Sequence, residues 1–550
     1  MNMRHIIFGA LLTLFSTAAL ATEGDTIDVV FRGTTAKVNI PATANVTFAA
    51  NGAHINMNST SLSEEYVYRL SGQTENGSLT LTGNYKLTLI LNGLSIRSEQ
   101  GAAIDIECGK RIAVVLPNGT NNTLVDCANG AQKAALYFKG HPEFEGGGTL
   151  NVTGNTKHAI AAKEYLQIKR TTGTINVLGA VSDGIHCGKG VYDQHYFEMQ
   201  GGLLNISNTG SDCIDSDDFG IMRITGGSIN ADVSADGSAG LKSDSTLTMT
   251  GGRLNIFVSG RDSEGLRTNY DAQLMGGSIS IRVAGDGSKA IKSKNKDNSL
   301  TVLDGGRLTF GGAECHLYVH AVDFIDTLTN DTTKCRAVSA DKDINRTGGD
   351  IEIYSYGTLH NAFHSDSTIT TTGGTLTIHQ APWQFYYGDF QHDMTAYVAL
   401  EVNGKRVDSL SDYAIGAFIG DECVGVAIDN YLRIYSHDTD ESSVAFRVCD
   451  LNTKEELPVT AVSQQVNFVS GSRIGKPNTP LVISCGSKIG DVNRDGQITI
   501  ADVTALVNII LGMDSTVPYL YDHQAADVNG DDSITIADVT SLVNIILGTD

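Results

Sequence analysis

The chain has 550 residues, and its 39 basic and 62 acidic residues give a formal net charge of −23. This length exceeds one ordinary hydrophobic core, so several domains or a repetitive architecture are expected. The acidity and the lack of a Lys/Arg block argue against nucleic acid as a partner. Nine cysteines are too few and odd in number for a disulfide framework, which predicts buried thiols.

Residues 1–21 read MNMRHIIFGALLTLFSTAALA, a short basic start followed by an apolar stretch and Ala19-Leu20-Ala21. This pattern predicts a secretory signal peptide with cleavage after Ala21. No later segment reaches the roughly 18 apolar residues of a transmembrane helix. We therefore expect an exported, extracellular protein without a transmembrane span.

Residues 22–60 are strand-like and are predicted to form an N-terminal β cap over an otherwise open sheet edge. Beyond them a repeat begins, most visible in MQGGLLNIS, ITGGSINAD, MTGGRLNIF and LMGGSISIR. The second glycines, Gly202, Gly227, Gly252 and Gly277, are each 25 residues apart. A fixed period of this size indicates a stacked architecture.

Each repeat also carries a second apolar segment, for example GLKS around Leu241 and AIKS around Ile291. Both segment types alternate apolar and polar residues between Gly/Asn/Asp turns, which is typical of short strands. A propeller would need about 40–45 residues per blade. The prediction is a mostly β chain with a right-handed parallel β-helix over residues 61–387, its Gly-Gly pairs forming tight corners.

From residue 388 to 484 strands continue without the Gly-Gly period, which predicts a small β-sandwich. An aromatic cluster precedes it and either stacks on sugar rings or joins the two domains, the second role being favoured. Its members are Trp383, Phe385, Tyr386, Tyr387 and Phe390.

Residues 487–550 contain two copies of a carboxylate-rich loop followed by an apolar helix. Oxygen-bearing side chains recur at positions 1, 3, 5, 9 and 12, with a backbone carbonyl at position 7, as in a calcium loop of EF-hand type. The predicted Ca²⁺ ligands are Asp491, Asn493, Asp495, Gln497, Thr499 and Asp502, then Asp527, Asn529, Asp531, Ser533, Thr535 and Asp538. Gly496 suits the sharp turn at position 6, whereas Asp532 in the second copy predicts a weaker site.

This duplicated loop, with Asp at position 12 and no helix before it, resembles a type I dockerin. The resemblance implies docking to a cohesin domain of a scaffold or cell-surface protein. It departs from the family pattern at the partner-facing positions 10 and 11, which are Ile500-Ala501 and Ile536-Ala537. A calcium-stiffened tail without a partner is the alternative.

Aligning the repeats reveals columns of charge. Lys242, Arg267 and Lys292 form a basic ladder with a spacing of 25, and Asp183, Asp212, Asp215 and Asp217 form an acidic cluster. The cluster is predicted to hold Ca²⁺ through oxygen ligands, and the ladder to grip a long polysaccharide. Alternatively the basic residues only neutralise neighbouring acids such as Asp244 and Glu264. His158, His186, His360 and His364 are interpreted as turn or surface residues rather than metal ligands.

The segments GNYKLTLILNG, GAAIDIECGKRIAVVL, VSDGIHCGKG and SDCIDSDDFG resemble secreted carbohydrate-binding proteins with a calcium-decorated β-helix akin to pectate lyases. The resemblance implies non-catalytic binding of plant-type, especially acidic, polysaccharide. The function predicted is a secreted calcium-dependent polysaccharide-binding protein, attached through a dockerin in a cellulosome-like way and supporting polysaccharide degradation.

Two alternatives stay open. A calcium-dependent pectate-type lyase on the same fold would use Arg267 or Lys242 as its base. A non-catalytic adhesin or structural protein would bind no sugar at all. The bases form a regular stripe, so no catalytic residue is predicted.

Overall fold

The computed structural model describes residues 26–188, 195–295, 305–319, 321, 323–325, 329, 331–355, 362–380, 383, 390–410, 412–427, 430–439, 442–453, 455–486, 489–493, 497–512, 522–531 and 533–548. The predicted signal peptide lies outside these residues, as do Asp495, Gly496, Asp532, His360, Phe385, Tyr386 and Tyr387. No helix among the described residues is both long enough and apolar enough to cross a membrane.

The repeat region and the segment before it are built from short and long strands. The first half contains β1 (Thr26–Arg32), β2 (Thr35–Asn39), β3 (Val46–Asn51), β4 (Ala53–Ser59), β5 (Tyr66–Thr74), β6 (Gly77–Thr82), β7 (Leu87–Arg97), β8 (Ile104–Glu107), β9 (Arg111–Val115), β10 (Asn121–Val125), β11 (Ala134–Phe138), β12 (His141–Glu145), β13 (Thr149–Gly154), β14 (His158–Ala162), β15 (Leu166–Ile168) and β16 (Thr174–Ala180). The second half contains β17 (Ile185–Cys187), β18 (Tyr196–Ile206), β19 (Ile214–Ser216), β20 (Ile221–Val233), β21 (Ala239–Ser243), β22 (Leu247–Val258), β23 (Glu264–Thr268), β24 (Ala272–Val283), β25 (Lys289–Ser293), β26 (Leu308–Val319), β27 (Phe324–Ile325), β28 (Thr332–Thr333), β29 (Arg336–Ala340), β30 (Ile344–Ser355), β31 (Phe363–Ser365) and β32 (Ile369–Gln380).

Two large sheets face each other across one core. One has seventeen strands and forks, because β7 pairs with both β9 and β10 while β18 pairs with both β15 and β16. The other has thirteen strands, from β3 to β31. Equivalent residues of successive repeats pair in parallel, as Leu241 does with Leu266. Only the N-terminal hairpins β1–β2 and β3–β4 are antiparallel among the described pairs of these two sheets.

The fold prediction of a right-handed parallel β-helix followed by a small β-sandwich requires correction. The predicted corners are absent at the Gly-Gly pairs: Gly227 and Gly252 lie inside the continuous strands β20 and β22, where the register shifts. Each later repeat therefore contributes one long strand to one sheet and one short strand to the other. The two sheets close around a common core as a barrel-like structure of largely parallel strands.

The glycines have a steric reason for their position. Gly277 has a φ of +93°, and a Cβ there would lie 2.7 Å from the carbonyl oxygen of Gly252 in the preceding repeat. Only glycine adopts this backbone without strain while the next repeat packs so closely. The bulge bends the long strand around the core instead of ending it.

The region from residue 390 to 486 has a separate core. Its strands are β33 (His392–Val402), β34 (Lys405–Arg406), β35 (Tyr413–Ile419), β36 (Glu422–Val426), β37 (Tyr431–Ser436), β38 (Ser443–Asp450), β39 (Glu456–Leu457), β40 (Val459–Val462), β41 (Val466–Asn467), β42 (Arg473–Ile474) and β43 (Leu481–Cys485). They form a six-stranded mixed sheet, in which β33 runs parallel to β42 and β43, and a five-stranded antiparallel sheet. The only tryptophan, Trp383, is buried here and donates to Glu456 at 2.6 Å, in agreement with the favoured joining role.

Three helices follow: α1 (Ile500–Ile510), α2 (His523–Ala526) and α3 (Ile536–Leu547). Their small core contains Val492, Leu506 and Leu542.

All nine cysteines are free, and eight of them are buried, as predicted.

Candidate functional site: a ladder of opposite charges and two acidic loops

The outward side of the thirteen-stranded sheet carries one continuous column of side chains. Strand pairing aligns the residue that directly follows the core aliphatic residue of β17, β19, β21, β23 and β25 in successive repeats. These residues are His186, Asp215, Lys242, Arg267 and Lys292. The predicted basic ladder is therefore the second part of a longer column whose first part is acidic.

A second, parallel column lies three residues earlier in the sequence. It contains His158, Asp183 and Asp212 in the first part, then Glu264, Lys289 and Arg336, with Glu264–Lys289 and Lys289–Arg336 paired across strands. We name the acidic half as His158, Asp183, His186, Asp212 and Asp215. The basic half is Arg267, Lys289, Lys292, Lys294 and Arg336, and Lys242 stands between them.

The acidic half is tightly paired. Oδ2 of Asp183 lies 3.1 Å from Nδ1 of His158 and 3.1 Å from Nδ1 of His186. The two imidazole rings stack with centroids 4.4 Å apart. Burial raises the pKa of Asp183, but the two histidines together hold it well below its usual range.

His158 and His186 differ in protonation. Burial lowers the pKa of His158, which is 1% exposed. Burial also acts on His186, but Asp183 and Asp215 outweigh it and raise the pKa of His186 to about 9. His186 therefore supplies a cation between two carboxylates near neutral pH. The interpretation of these histidines as turn or surface residues is wrong, since they are part of the cluster.

Lys242 closes the acidic half on its other side. Its ammonium lies 3.3 Å from Asp212 and 3.1 Å from Asp215, and these carboxylates raise the pKa of Lys242 against the effect of burial. Burial raises the pKa of Asp212 to about 6 despite this neighbour. The ammonium group of Lys242 is thus already paired with carboxylates of the protein itself.

The predicted calcium cluster is brought together in part. Carboxylate oxygens of Asp183, Asp212 and Asp215 lie within 4.8 Å of one another, a spacing that suits one dication. Asp217 is not part of this group, and its side chain lies beside that of Asp244. His186 and Lys242 already pair with the three carboxylates, so a bound Ca²⁺ competes with both.

Among the described residues, the basic half has fewer carboxylate partners than the acidic half. Glu264 lies 3.7 Å from Arg267 and 3.4 Å from Lys292, while Lys289 has Asp262 at 3.8 Å. Nε of Arg267 and Nε of Arg336 are buried without a hydrogen-bond partner among the described residues. Burial, with Lys292 and Arg267 beside it, lowers the pKa of Lys294 to about 8. The pKa of Lys294 is thus lowered first by burial and then by the two neighbouring cations.

The two C-terminal loops are built alike. Asp502 accepts backbone N–H groups of Asn493 at 3.1 Å and Thr499 at 2.8 Å, and Asp538 accepts those of Asn529 at 3.1 Å and Thr535 at 2.8 Å. Position 12 therefore both caps a helix and closes the loop. In the second loop, oxygens of Asp527, Asp531 and Asp538 converge within 4.8 Å. This donor set fits a hard dication such as Ca²⁺.

The remaining predicted ligands of these loops lie in the same short segments: Asp491, Gln497 and Ser533. Asp491 is buried, and the backbone N–H of Ser533 donates to Asp531 at 3.0 Å. At position 10 of each loop, Ile500 is 71% exposed and Ile536 is 79% exposed. Two related apolar side chains are thus presented to solvent at the start of α1 and α3.

Two family models match separate parts of the chain. A comparison with solved structures finds "Structure of the polysaccharide lyase-like protein from C. thermocellum, Gadolinium derivative" at 14% identity and a TM-score of 0.26, covering 64% of this chain and 96% of that chain. No curated protein matches. The family described as "Carbohydrate-binding domain-containing protein" matches residues 56–384, and the type I dockerin domain matches residues 489–547. Because the first match spans more than half of the 550 residues, the chain belongs to the family of carbohydrate-binding domain-containing proteins and carries a type I dockerin domain.

Proposed function

We propose that this protein is a secreted, calcium-dependent polysaccharide-binding protein that holds acidic glycans on its basic half and attaches through its dockerin domain to a cohesin-bearing scaffold or cell surface. The two family matches support a polysaccharide-related role with cellulosome-type attachment. The observation that carries the ligand class is the cluster of five basic side chains on a chain of net charge −23.

The chemistry of the basic half suits carboxylates. Arg267 and Lys292 lie side by side on neighbouring strands, and one carboxylate, Glu264, reaches both. Strands in a sheet lie about 4.8 Å apart, which is close to the length of one sugar unit. A uronate chain along the column can therefore place successive carboxylates against successive repeats.

The experiment is affinity electrophoresis of the full chain in polygalacturonate and in cellulose, with Ca²⁺ or with EDTA. We expect retardation by polygalacturonate in the presence of Ca²⁺. Migration unaffected by any glycan of a broad panel would contradict the proposal and favour an adhesin or structural protein.

In the dockerin domain, the loops starting at Asp491 and Asp527 are proposed to bind Ca²⁺, which the domain needs to neutralise its clustered carboxylates and order its helices. A third, weaker Ca²⁺ is proposed at Asp183, Asp212 and Asp215.

The exposed Ile500 and Ile536 are proposed to face the cohesin. EDTA should reduce the helical circular dichroism and release the chain from a cohesin column, and Ile500→Asp with Ile536→Asp should release it with Ca²⁺ still bound.

A second candidate, a polysaccharide lyase, is favoured by one observation. A lyase needs a base to remove the C5 proton of a uronate, and Lys294, with its pKa of about 8, lies beside the two cations Lys292 and Arg267. Lys242 is unsuitable because its carboxylate neighbours keep it protonated. Unsaturated uronides that appear in absorbance with the wild type and disappear with Lys294→Met would establish this activity.

A further inference from the structure

We infer that a second acidic-saccharide site lies in a cleft between the seventeen-stranded sheet and the region of residues 390–486, which gives that region a role in ligand binding. This inference rests on the proposed function, because it assumes a saccharide ligand. The cleft has a volume of about 510 Å³. We name it the arginine cleft after its three arginines, Arg282, Arg433 and Arg473.

One wall of the arginine cleft comes from the six-stranded sheet. Thr395 on β33 pairs with Arg433 on β37 and with Arg473 on β42, so the two arginines flank one threonine on adjacent strands. Two residues along β33, Tyr397 pairs with Tyr431, and their rings meet edge to face at 5.6 Å. This wall places two guanidinium groups beside two aromatic rings.

The opposite wall comes from the end of the long strands. Phe257 and Arg282 are paired neighbours on β22 and β24, and the guanidinium of Arg282 lies 5.8 Å from the ring centroid of Tyr318 in the next repeat. Phe257 is 41% exposed. An exposed phenylalanine beside an arginine again offers an apolar surface next to a positive charge.

The described lining of the cleft contains one carboxylate, Asp393, and it pairs with Arg433 at 3.0 Å. No ion pair joins Arg473 to a carboxylate among the described residues. The guanidinium group of Arg473 therefore favours an anionic ligand, and the planar fork of arginine matches a carboxylate in two parallel hydrogen bonds. Tyrosine and phenylalanine rings suit the apolar faces of sugar rings. A uronate unit combines both features.

A second groove of about 410 Å³ leads into the cleft and shares Phe257 and Arg282 with it. It is lined by Asn205, Asn230 and Asn255, whose amides form a ladder: Asn230 donates to Asn205 at 2.7 Å and Asn255 donates to Asn230 at 2.8 Å. Each amide retains one further N–H for a ligand hydroxyl. The groove therefore allows a linear saccharide to lie along the repeats with its acidic end in the arginine cleft.

The test is isothermal titration of the full chain with tri-galacturonate, with cellotriose as the neutral probe. We expect binding of tri-galacturonate only, weakened at least about tenfold by Arg473→Gln, as loss of a charged hydrogen-bonding partner predicts. The matched control is Arg253→Gln, an exposed arginine on the same large sheet outside both grooves, and it should leave binding unchanged.

The outcomes separate this inference from the proposed function. No binding of tri-galacturonate, or equal binding by Arg473→Gln, overturns the arginine cleft even if polygalacturonate still retards the protein. Loss of trimer binding in Arg473→Gln with no loss in Lys292→Gln supports the cleft and removes the basic half from recognition of the trimer. Equal binding of cellotriose overturns the choice of an acidic ligand.

Discussion

The acidic and basic halves lie on one sheet and in the same two columns of positions, yet their side chains differ in how they are paired. In the acidic half, His186 and Lys242 lie between the carboxylates, and every member has an internal counterion. In the basic half, Glu264 serves two cations, and Lys294 has a depressed pKa. This contrast is the reason why we propose that the acidic end stabilises the fold and that the basic end binds the ligand.

The largest effect is expected from reversing charge in the basic half. Arg267→Glu with Lys292→Glu should weaken binding of polygalacturonate at least about a hundredfold, because two attractive contacts become repulsive. Affinity electrophoresis over a series of polymer concentrations measures the change. The control is Arg32→Glu with Arg253→Glu, which alters net charge equally at exposed positions elsewhere. If both double variants lose binding alike, net charge rather than this site governs affinity.

The acidic half should respond in stability instead. Asp183→Asn removes the carboxylate shared by His158 and His186, and breaking such a buried pair costs about 3–5 kcal/mol. Urea unfolding in EDTA, followed by the β-sheet circular dichroism, measures the loss. Asp236→Asn is the control, since its pair with Arg261 is exposed and worth less than about 1 kcal/mol. Equal effects of the two substitutions would show that the acidic half does not stabilise the fold.

A pH titration separates the halves further. Folding lowers the pKa of Lys294 to about 8 from an ordinary 10.5, so the folded state binds fewer protons than the unfolded chain between these values. Folding stability should therefore rise with pH across that interval, while polygalacturonate binding weakens a few-fold as Lys294 loses its charge. Titration calorimetry from pH 7 to 9.5 measures the binding. Lys294→Arg should give a flat profile, and a wild-type profile as flat as that of the variant contradicts the assignment.

The smallest effect is expected at the boundary. Lys242→Gln should change polygalacturonate affinity less than about threefold, because the ammonium group of Lys242 already pairs with Asp212 and Asp215. Lys292→Gln should instead lower this affinity at least about tenfold. Titration of both variants decides whether the ladder is uniform. Equal losses would restore the uniform basic ladder that the sequence predicts.

The sequence predicts the column but not its division. The spacing of Lys242, Arg267 and Lys292 correctly indicates a single line, since parallel pairing repeats each position. His158 and Asp183 share the same offset before the core residues Ile160 and Ile185, so extending that alignment by one repeat identifies the histidine that sequence reasoning missed. No local sequence pattern indicates that Lys242 pairs with two carboxylates and Lys292 with one, because this pairing depends on side-chain conformation across repeats.

The fold, too, can be predicted only in part from the sequence. The period of 25 residues predicts stacked strands, and the preference of glycine for turns predicts corners at the Gly-Gly pairs of Gly227 and Gly252. In the structure they bulge within long strands, which a positive φ also permits. The arginine cleft was beyond the sequence altogether, since Arg282 and Arg473 are 191 residues apart.

The most direct measurement is zero-length carbodiimide cross-linking of polygalacturonate to the wild-type protein, followed by mapping of the modified lysines by mass spectrometry. The reaction joins uronate carboxylates to amines in contact with them. The account predicts adducts at Lys292 and Lys294 and none at Lys242. Adducts at Lys242 equal to those at Lys292, or spread over exposed lysines such as Lys37 without enrichment in the basic half, would contradict it.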